Sequence, residues 1–252
     1  MRVMIFAPML FVALFITGCT TTGNGVQRQM TVNEQDARLV NIAGPWSVTI
    51  VCNADRNELI INAEENLWEK IRANVKSPRI ELSVRGKIEP TLPMTVVLYT
   101  TGSVNEIGLG GSANAVVTGV NAQQLYIDMA DTAFLMLPDS NKSDELKVNM
   151  KDESTLLFSG SARDCDARTS GASYARFRTF IDNADFHATG EARLDIDGAR
   201  NMQIRLSRNG RMMLDNLTER MFGVISQNSA IYYRGDGKLR VETLGKSRIH
   251  KL

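Results

Sequence analysis

The chain has 252 residues, with 29 Lys+Arg against 28 Asp+Glu, 43% hydrophobic and 6% aromatic side chains. Those values suit one large domain or two small ones and exclude a disordered chain, a collagen and a small disulfide-stapled scaffold. A net charge of +1 gives no electrostatic basis for nucleic-acid binding, and two histidines with three cysteines argue against multi-ligand zinc or haem sites.

In chain order, residues 1–18 read as a signal peptide: Arg2, an apolar run from Val3 to Ile16, then Gly18. The run is too short to span a bilayer as a helix, which needs roughly 20 residues. Ile16-Thr17-Gly18-Cys19 resembles a bacterial lipobox. On that reading Cys19 takes a diacylglycerol and palmitate-type acyl chains, becomes the mature N-terminus, and attaches the chain to a membrane. An ordinary secreted protein cut near Gly18 is the alternative. Thr20 follows the cysteine and no Asp does, which resembles the signal for outer-membrane sorting in Gram-negative bacteria. Residues 19–38 then read as a lipidated, flexible polar tether.

Residues 39–102 read as an N-terminal cap. Trp46, Val48 and Ile50 alternate after Gly44-Pro45, Glu58–Ala63 and Arg79–Arg85 are further strand candidates, and Glu64–Val75 is the one plausible helix. Its apolar face would carry Leu67, Trp68, Ile71 and Val75.

From residue 103 to 252 a repeat emerges. Turn-like residues at Gly111, Asp131, Glu153, Gly171, Gly190, Asn209, Asn228 and Gly245 are spaced 17 to 22 apart. Two positions on stand Ala113, Ala133, Thr155, Ser173, Ala192, Arg211, Ala230 and Ser247, small in seven of eight cases. Four positions on, no residue is charged. Alternating apolar positions such as Leu125/Ile127/Met129 and Leu146/Val148/Met150 precede the turns. Two short strands per unit cannot bury an apolar face alone, but stacked units can. The fold class expected is therefore all-β: a single-stranded parallel β-helix of about eight repeats with an N-terminal cap. A β-sandwich is the rival, and it would not require one small-residue column. In the solenoid register Arg176 stacks over Asp195 and Arg178 over Asp197. Lys246, Arg248, His250 and Lys251 load the last coil with positive charge, which discourages edge-to-edge pairing.

Four stretches carry a family resemblance: Ile42-Ala43-Gly44-Pro45-Trp46-Ser47-Val48-Thr49-Ile50, Ile107-Gly108-Leu109-Gly110-Gly111-Ser112-Ala113, Phe158-Ser159-Gly160-Ser161-Ala162, and Tyr233-Arg234-Gly235 with Leu239. From about residue 40 to 248 the chain is similar to the bacterial family of auto-transporter adhesin head GIN domains. The resemblance implies a right-handed β-helix like that of pectin lyases, an envelope location, no established catalytic residues and an adhesive role.

No catalytic residue, metal site or cofactor is expected. Asp195 and Asp197, two apart on one strand, are the best pair for a carbohydrate-active enzyme, the alternative function, with the arginine ladder as their structural role. His187 and His250 have no motif around them. Asp131, Asp152 and Glu153 read as solvated turn acids before they read as a cation site. Cys52 and Cys165 either pair in the oxidising envelope or sit buried apart. The expected function is a non-enzymatic envelope lipoprotein presenting flat faces to a glycan or another envelope protein. A structural subunit that self-associates through its last coil is the third reading.

Overall fold

The computed structural model describes residues 20–33 and 36–252; the leader and Cys19 lie outside them. From residue 106 onward the chain winds as a parallel β-solenoid. Strands Glu106–Gly110, Asn121–Met129, Lys142–Met150 and Ser161–Thr169 pair parallel, one coil apart in sequence, on one face. The later halves of Tyr174–Ala188, Arg193–Leu206 and Arg211–Ile225 continue it to Lys238–Thr243. The second face stacks Asn114–Thr118, Phe134–Leu137 and Thr155–Phe158 on the earlier halves of those three long strands, ending at Arg248–Lys251. We call the first the pre-turn face and the second the post-turn face.

The turn that joins them has a left-handed first residue in every coil. Gly111, Asp131, Asp152, Gly171, Gly190, Arg208, Gln227 and Gly245 all have φ between 54° and 80°. Three turns therefore sit one residue earlier than the sequence register places them, at Asp152, Arg208 and Gln227. Residue type misleads there because Asn209 and Asn228 also take positive φ, at 72° and 67°. The corrected register improves the pattern. The column two positions on becomes Ala113, Ala133, Ser154, Ser173, Ala192, Gly210, Ser229 and Ser247, with no exception. The coil bends inward at this column, so it has no room for a larger side chain. Leu156, Met212 and Ile231, not Leu157, Met213 and Tyr232, are the inward residues. Inside, Phe158, Phe177 and Phe186 stack with ring centroids 6.3 Å and 5.4 Å apart. At another corner buried Asn141 donates to the Val117 and Pro138 carbonyls and accepts from Val120 N, closing backbone valences that water cannot reach.

The N-terminal segment caps the solenoid and also adds coils to its stack. Leu39–Ala43 pairs parallel with both Glu106–Gly110 and Arg79–Val84, and Trp46–Cys52 with both Asn114–Thr118 and Met94–Thr100. The parallel stack thus begins at residue 39, and the boundary at 102/103 divides segments that share one core. Chain order and stack order part company here, because the 39–52 coil lies between the 79–100 coil and the 106–118 coil. The end is closed by antiparallel strands: Ile71–Lys76 on Arg79–Val84, Glu58–Glu64 on Met94–Thr100, and Gln27–Val32 on Glu58–Glu64. The expected helix is only a 3-10 segment, Glu65–Lys70, followed by the strand Ile71–Lys76. Pairing an open sheet edge outweighs helix propensity over those residues. The expected tether is built into the fold as well, since Thr21–Thr22 and Gln27–Val32 are strands.

Candidate ligand-binding face

Because side chains alternate along each strand, every second residue of the pre-turn face points outward and stacks at about 4.8 Å intervals. One outward column runs Gln124, Glu145, Asp164, Asn183, Asn201, Arg220. Its members tie to one another: Gln124 Nε2 donates to Glu145 at 2.6 Å, Asn183 Nδ2 to Asp164 at 2.8 Å, and Arg220 Nε to Asn201 Oδ1 at 2.9 Å. Hydrogen bonds from Lys147 hold the Glu145 carboxyl below its ordinary range, and those from Asn183 and Arg163 do the same for Asp164. Both carboxylates are charged at neutral pH.

The next column runs Tyr126, Lys147, Asp166, Asp185, Gln203, Phe222. Its two aromatic members are exposed, Tyr126 at 41% and Phe222 at 39%, with Glu106 stacked beyond the first and Arg240 beyond the second. Between the two aromatics lie two grooves. One, of about 340 Å³, is lined by Glu145, Asp164, Asp166, Asp185, Arg220 and Phe222, among others; the other, of about 550 Å³, includes Tyr126, Lys147, Asp128, Asp166 and Arg168. Asp166 lines both. Its Oδ1, Asp185 Oδ1 and His187 Nε2 are buried atoms without an aligned hydrogen-bond partner in the protein. Asp185 and His187 approach to 3.1 Å, and Asp166 and Arg168 to 3.5 Å, but neither contact has hydrogen-bond alignment. Asp166 and Asp185 thus line the groove with carboxylates held in contacts of loose geometry.

The post-turn face carries a sealed charge cluster instead. Asp195 is 3% exposed, accepts from Arg193 Nε and Nη2 at 3.0 and 2.8 Å and from Tyr174 OH at 2.9 Å. Arg176 reaches Asp197 at 3.1 Å and Asp195 at 3.8 Å.

A family model described as putative auto-transporter adhesin, head GIN domain, matches residues 38–216. The chain belongs to that family. No curated protein matches the sequence. Among solved structures, a protein of Parabacteroides distasonis described as a putative lipid binding protein is similar at 16% identity. It has a TM-score of 0.82, over 93% of this chain and 100% of that one. A putative adhesin of the same species is similar at 13% identity with a TM-score of 0.81, again over 93% and 100%. A putative adhesin of Parabacteroides merdae is similar at 13% with a TM-score of 0.79, over 92% of this chain and 99% of that one. At such identities the likeness is one of fold.

Within this GIN domain the expected ladder forms in part. Arg176 pairs in register with Asp195, but the register slips between Phe177 and Phe180, and Arg178 has no ion pair among the described residues. Asp197 is therefore met by Arg176, not Arg178. Asp195 and Asp197 stand on the opposite face from the two grooves, and Asp195 is closed off by its partners. Cys52 and Cys165 are both free and buried, so the disulfide does not form. The register puts them four strand spacings apart along the stack, roughly 19 Å, beyond the reach of a disulfide. Burial pushes the Cys52 thiol up to about 11 and raises Cys165 further, so neither is a ready nucleophile. Asp131 and Asp152 use their carboxylates within the turn ladder, accepting from Gly111 N at 2.7 Å and Asp131 N at 3.2 Å. His187 lies on the pre-turn face beside Asp185, and His250 stacks on Tyr232 with centroids 5.1 Å apart.

Sequence reasoning missed Tyr126, Phe222, Asp166 and Asp185. A signal was present: Asp166 and Asp185 are 19 residues apart, the same offset that aligns Arg176 with Asp195.

Proposed function

We propose that this GIN-domain protein is a non-enzymatic envelope lipoprotein, held at the outer membrane by acylated Cys19, whose pre-turn face binds a glycan. The observation that carries the binding reading is the pairing of exposed Tyr126 and Phe222 in one column, five strand spacings or roughly 24 Å apart. Two aromatic faces with carboxylate, amide and guanidinium groups between them suit an extended sugar chain, which offers apolar ring faces and many hydroxyls. Membership of a family described as adhesin agrees with a binding role at the envelope. Sealing of Asp195 argues against the hydrolase built on Asp195 and Asp197.

Titration calorimetry on the domain with envelope-derived glycans tests the binding reading. Tyr126→Ala and Phe222→Ala are each expected to weaken binding about tenfold, the loss of one stacked contact worth about 1.4 kcal/mol. Glycan binding unaffected by both changes, or new reducing ends appearing in the sample, would overturn it. Metabolic labelling with palmitate tests the anchor, with Cys19→Ala expected to abolish incorporation.

A further inference from the structure

The first described residues are pinned. Thr21–Thr22 pairs parallel with Ile88–Glu89, Thr21 N donates to Lys87 O at 3.0 Å, and Gly23 N to Glu89 O at 3.0 Å. Asn66 brackets the next step, donating to Thr22 O at 2.8 Å and accepting from Asn24 N at 3.1 Å. Gly25 N donates to Glu64 Oε1 at 2.6 Å. Glu64, fully buried, also accepts from Thr91 N at 2.7 Å, Leu92 N at 3.2 Å and the Thr91 hydroxyl. A Cβ on Gly23 would overlap the Glu64 carboxylate, so glycine is required for the chain to lie this close.

We infer that the protein sits on the bilayer without a spacer, the closed end of its solenoid resting at headgroup level. The inference rests on the reading that Cys19 is acylated. Consecutive Cα atoms are 3.8 Å apart, so Cys19 can lie at most about 8 Å from Thr21, which is bonded to Lys87. A lipid on Cys19 therefore holds exposed Lys87, and its neighbour Arg85, within reach of phosphate groups. The opposite end is remote. Nine strand spacings separate the 79–100 coil from the last one, roughly 43 Å along the axis. A flexible 20-residue tether would let both ends and both faces sample the membrane alike. The pinned anchor fixes one end there and keeps the grooves of the pre-turn face on a wall that rises from the bilayer.

The test uses the full chain, processed in a bacterial host and reconstituted into phosphatidylethanolamine/phosphatidylglycerol vesicles. A fluorophore is placed at Lys87→Cys or at Lys246→Cys, the two native described cysteines being buried, and quenched by headgroup-labelled lipid. Quenching at position 87 is expected to exceed that at 246 several-fold. A Gly/Ser insert of about 15 residues between Cys19 and Thr20, reaching roughly 20 Å, is expected to erase most of the difference. Equal quenching at both positions, or no effect of the insert, would overturn the seating. Mass spectrometry of the mature N-terminus separates the two failures. An acylated chain with equal quenching loses the seating alone, whereas a chain with no acyl group loses the anchor and the seating together.

Discussion

The regular body and the N-terminal end of this solenoid bury the same kinds of side chain by different connectivity. From residue 106 onward each coil pairs with the coil 18 to 21 residues away, so contacts are nearest-neighbour. Residues 20–100 pair out of chain order, with Gln27–Val32 lying antiparallel on Glu58–Glu64 and Leu39–Ala43 inserted between segments from later in the chain. Repetition makes the body's stability a sum of local interfaces, whereas the closed end stands or falls as one unit. The last coil shows the contrast: Leu239, Val241 and Ile249 are only partly buried, while Leu59 and Ile61 under the antiparallel cover are fully so.

The sharpest way to break the comparison is to remove each end. Deleting residues 20–32 strips the antiparallel cover, frees Glu64 from Gly25 and opens the edge of Glu58–Glu64. A fall in Tm on the order of 10 °C with aggregation on size-exclusion chromatography is expected. Deleting residues 238–252 removes half-exposed contacts and should lower Tm by a smaller amount, with the monomer retained. Equal losses would mean that the N-terminal cover has no special role.

How much of this was legible in the sequence follows the same division. Repetition exposes itself: the small column from Ala113 to Ser247 identifies a parallel coil before any coordinates, and its one misfit, Arg211, marks a register error, since Gly210 is the true member. Fixed spacing also placed Arg176 beside Asp195. What failed had no repeat to reveal it. Glu64–Val75 has a helical apolar stripe, yet Ile71 and Val75 serve better on an edge strand, a choice made by the hairpin partner Arg79–Val84 that follows the stripe. The polar run 20–26 reads as a tether because its bonding partners, Glu64, Asn66 and Lys87, are far away in the chain. The Arg178–Asp197 pair is lost to a local slip that no count of residues announces.

Within the body, the two acids of the post-turn face should differ. Asp195→Ala leaves Arg193 and Tyr174 without their shared acceptor. It should cost about 2–3 kcal/mol by urea titration, less than a fully buried pair because Arg193 is half exposed. Asp197→Ala, at a half-exposed position, should cost less than about 1 kcal/mol. Similar losses would refute the sealed cluster.

Acid separates the closed end from the body. Burial alone would raise the pKa of Glu64, but hydrogen bonds from Thr91, Gly25 and Leu92 outweigh it and hold the group at about 2, against an ordinary 4.5. A depressed folded-state value contributes stability above the unfolded pKa and loses it as pH falls through the folded one. Thermal melts should therefore lose stability between about pH 4.5 and 2, and Glu64→Gln should flatten that stretch while lowering the neutral-pH Tm. An unchanged slope in the variant would remove Glu64 as the source.

The smallest expected effect asks whether the turn column or the residue in it sets the left-handed conformation. Gly190 has φ of 80°, and a Cβ there would stand 2.7 Å from Gly171 O, so Gly190→Ala should cost about 1–2 kcal/mol. Gln227 occupies the equivalent place at φ 55° with a full side chain. If stacking on Arg208 and Gly245 forces that conformation, Gln227 carries strain that glycine would relieve. Glycine also adds freedom to the unfolded chain, so Gln227→Gly should gain no more than about 0.5 kcal/mol. A clear loss on Gln227→Gly would show instead that this side chain stabilises its own turn. The coil would then owe its shape there to local chemistry and not to the stack.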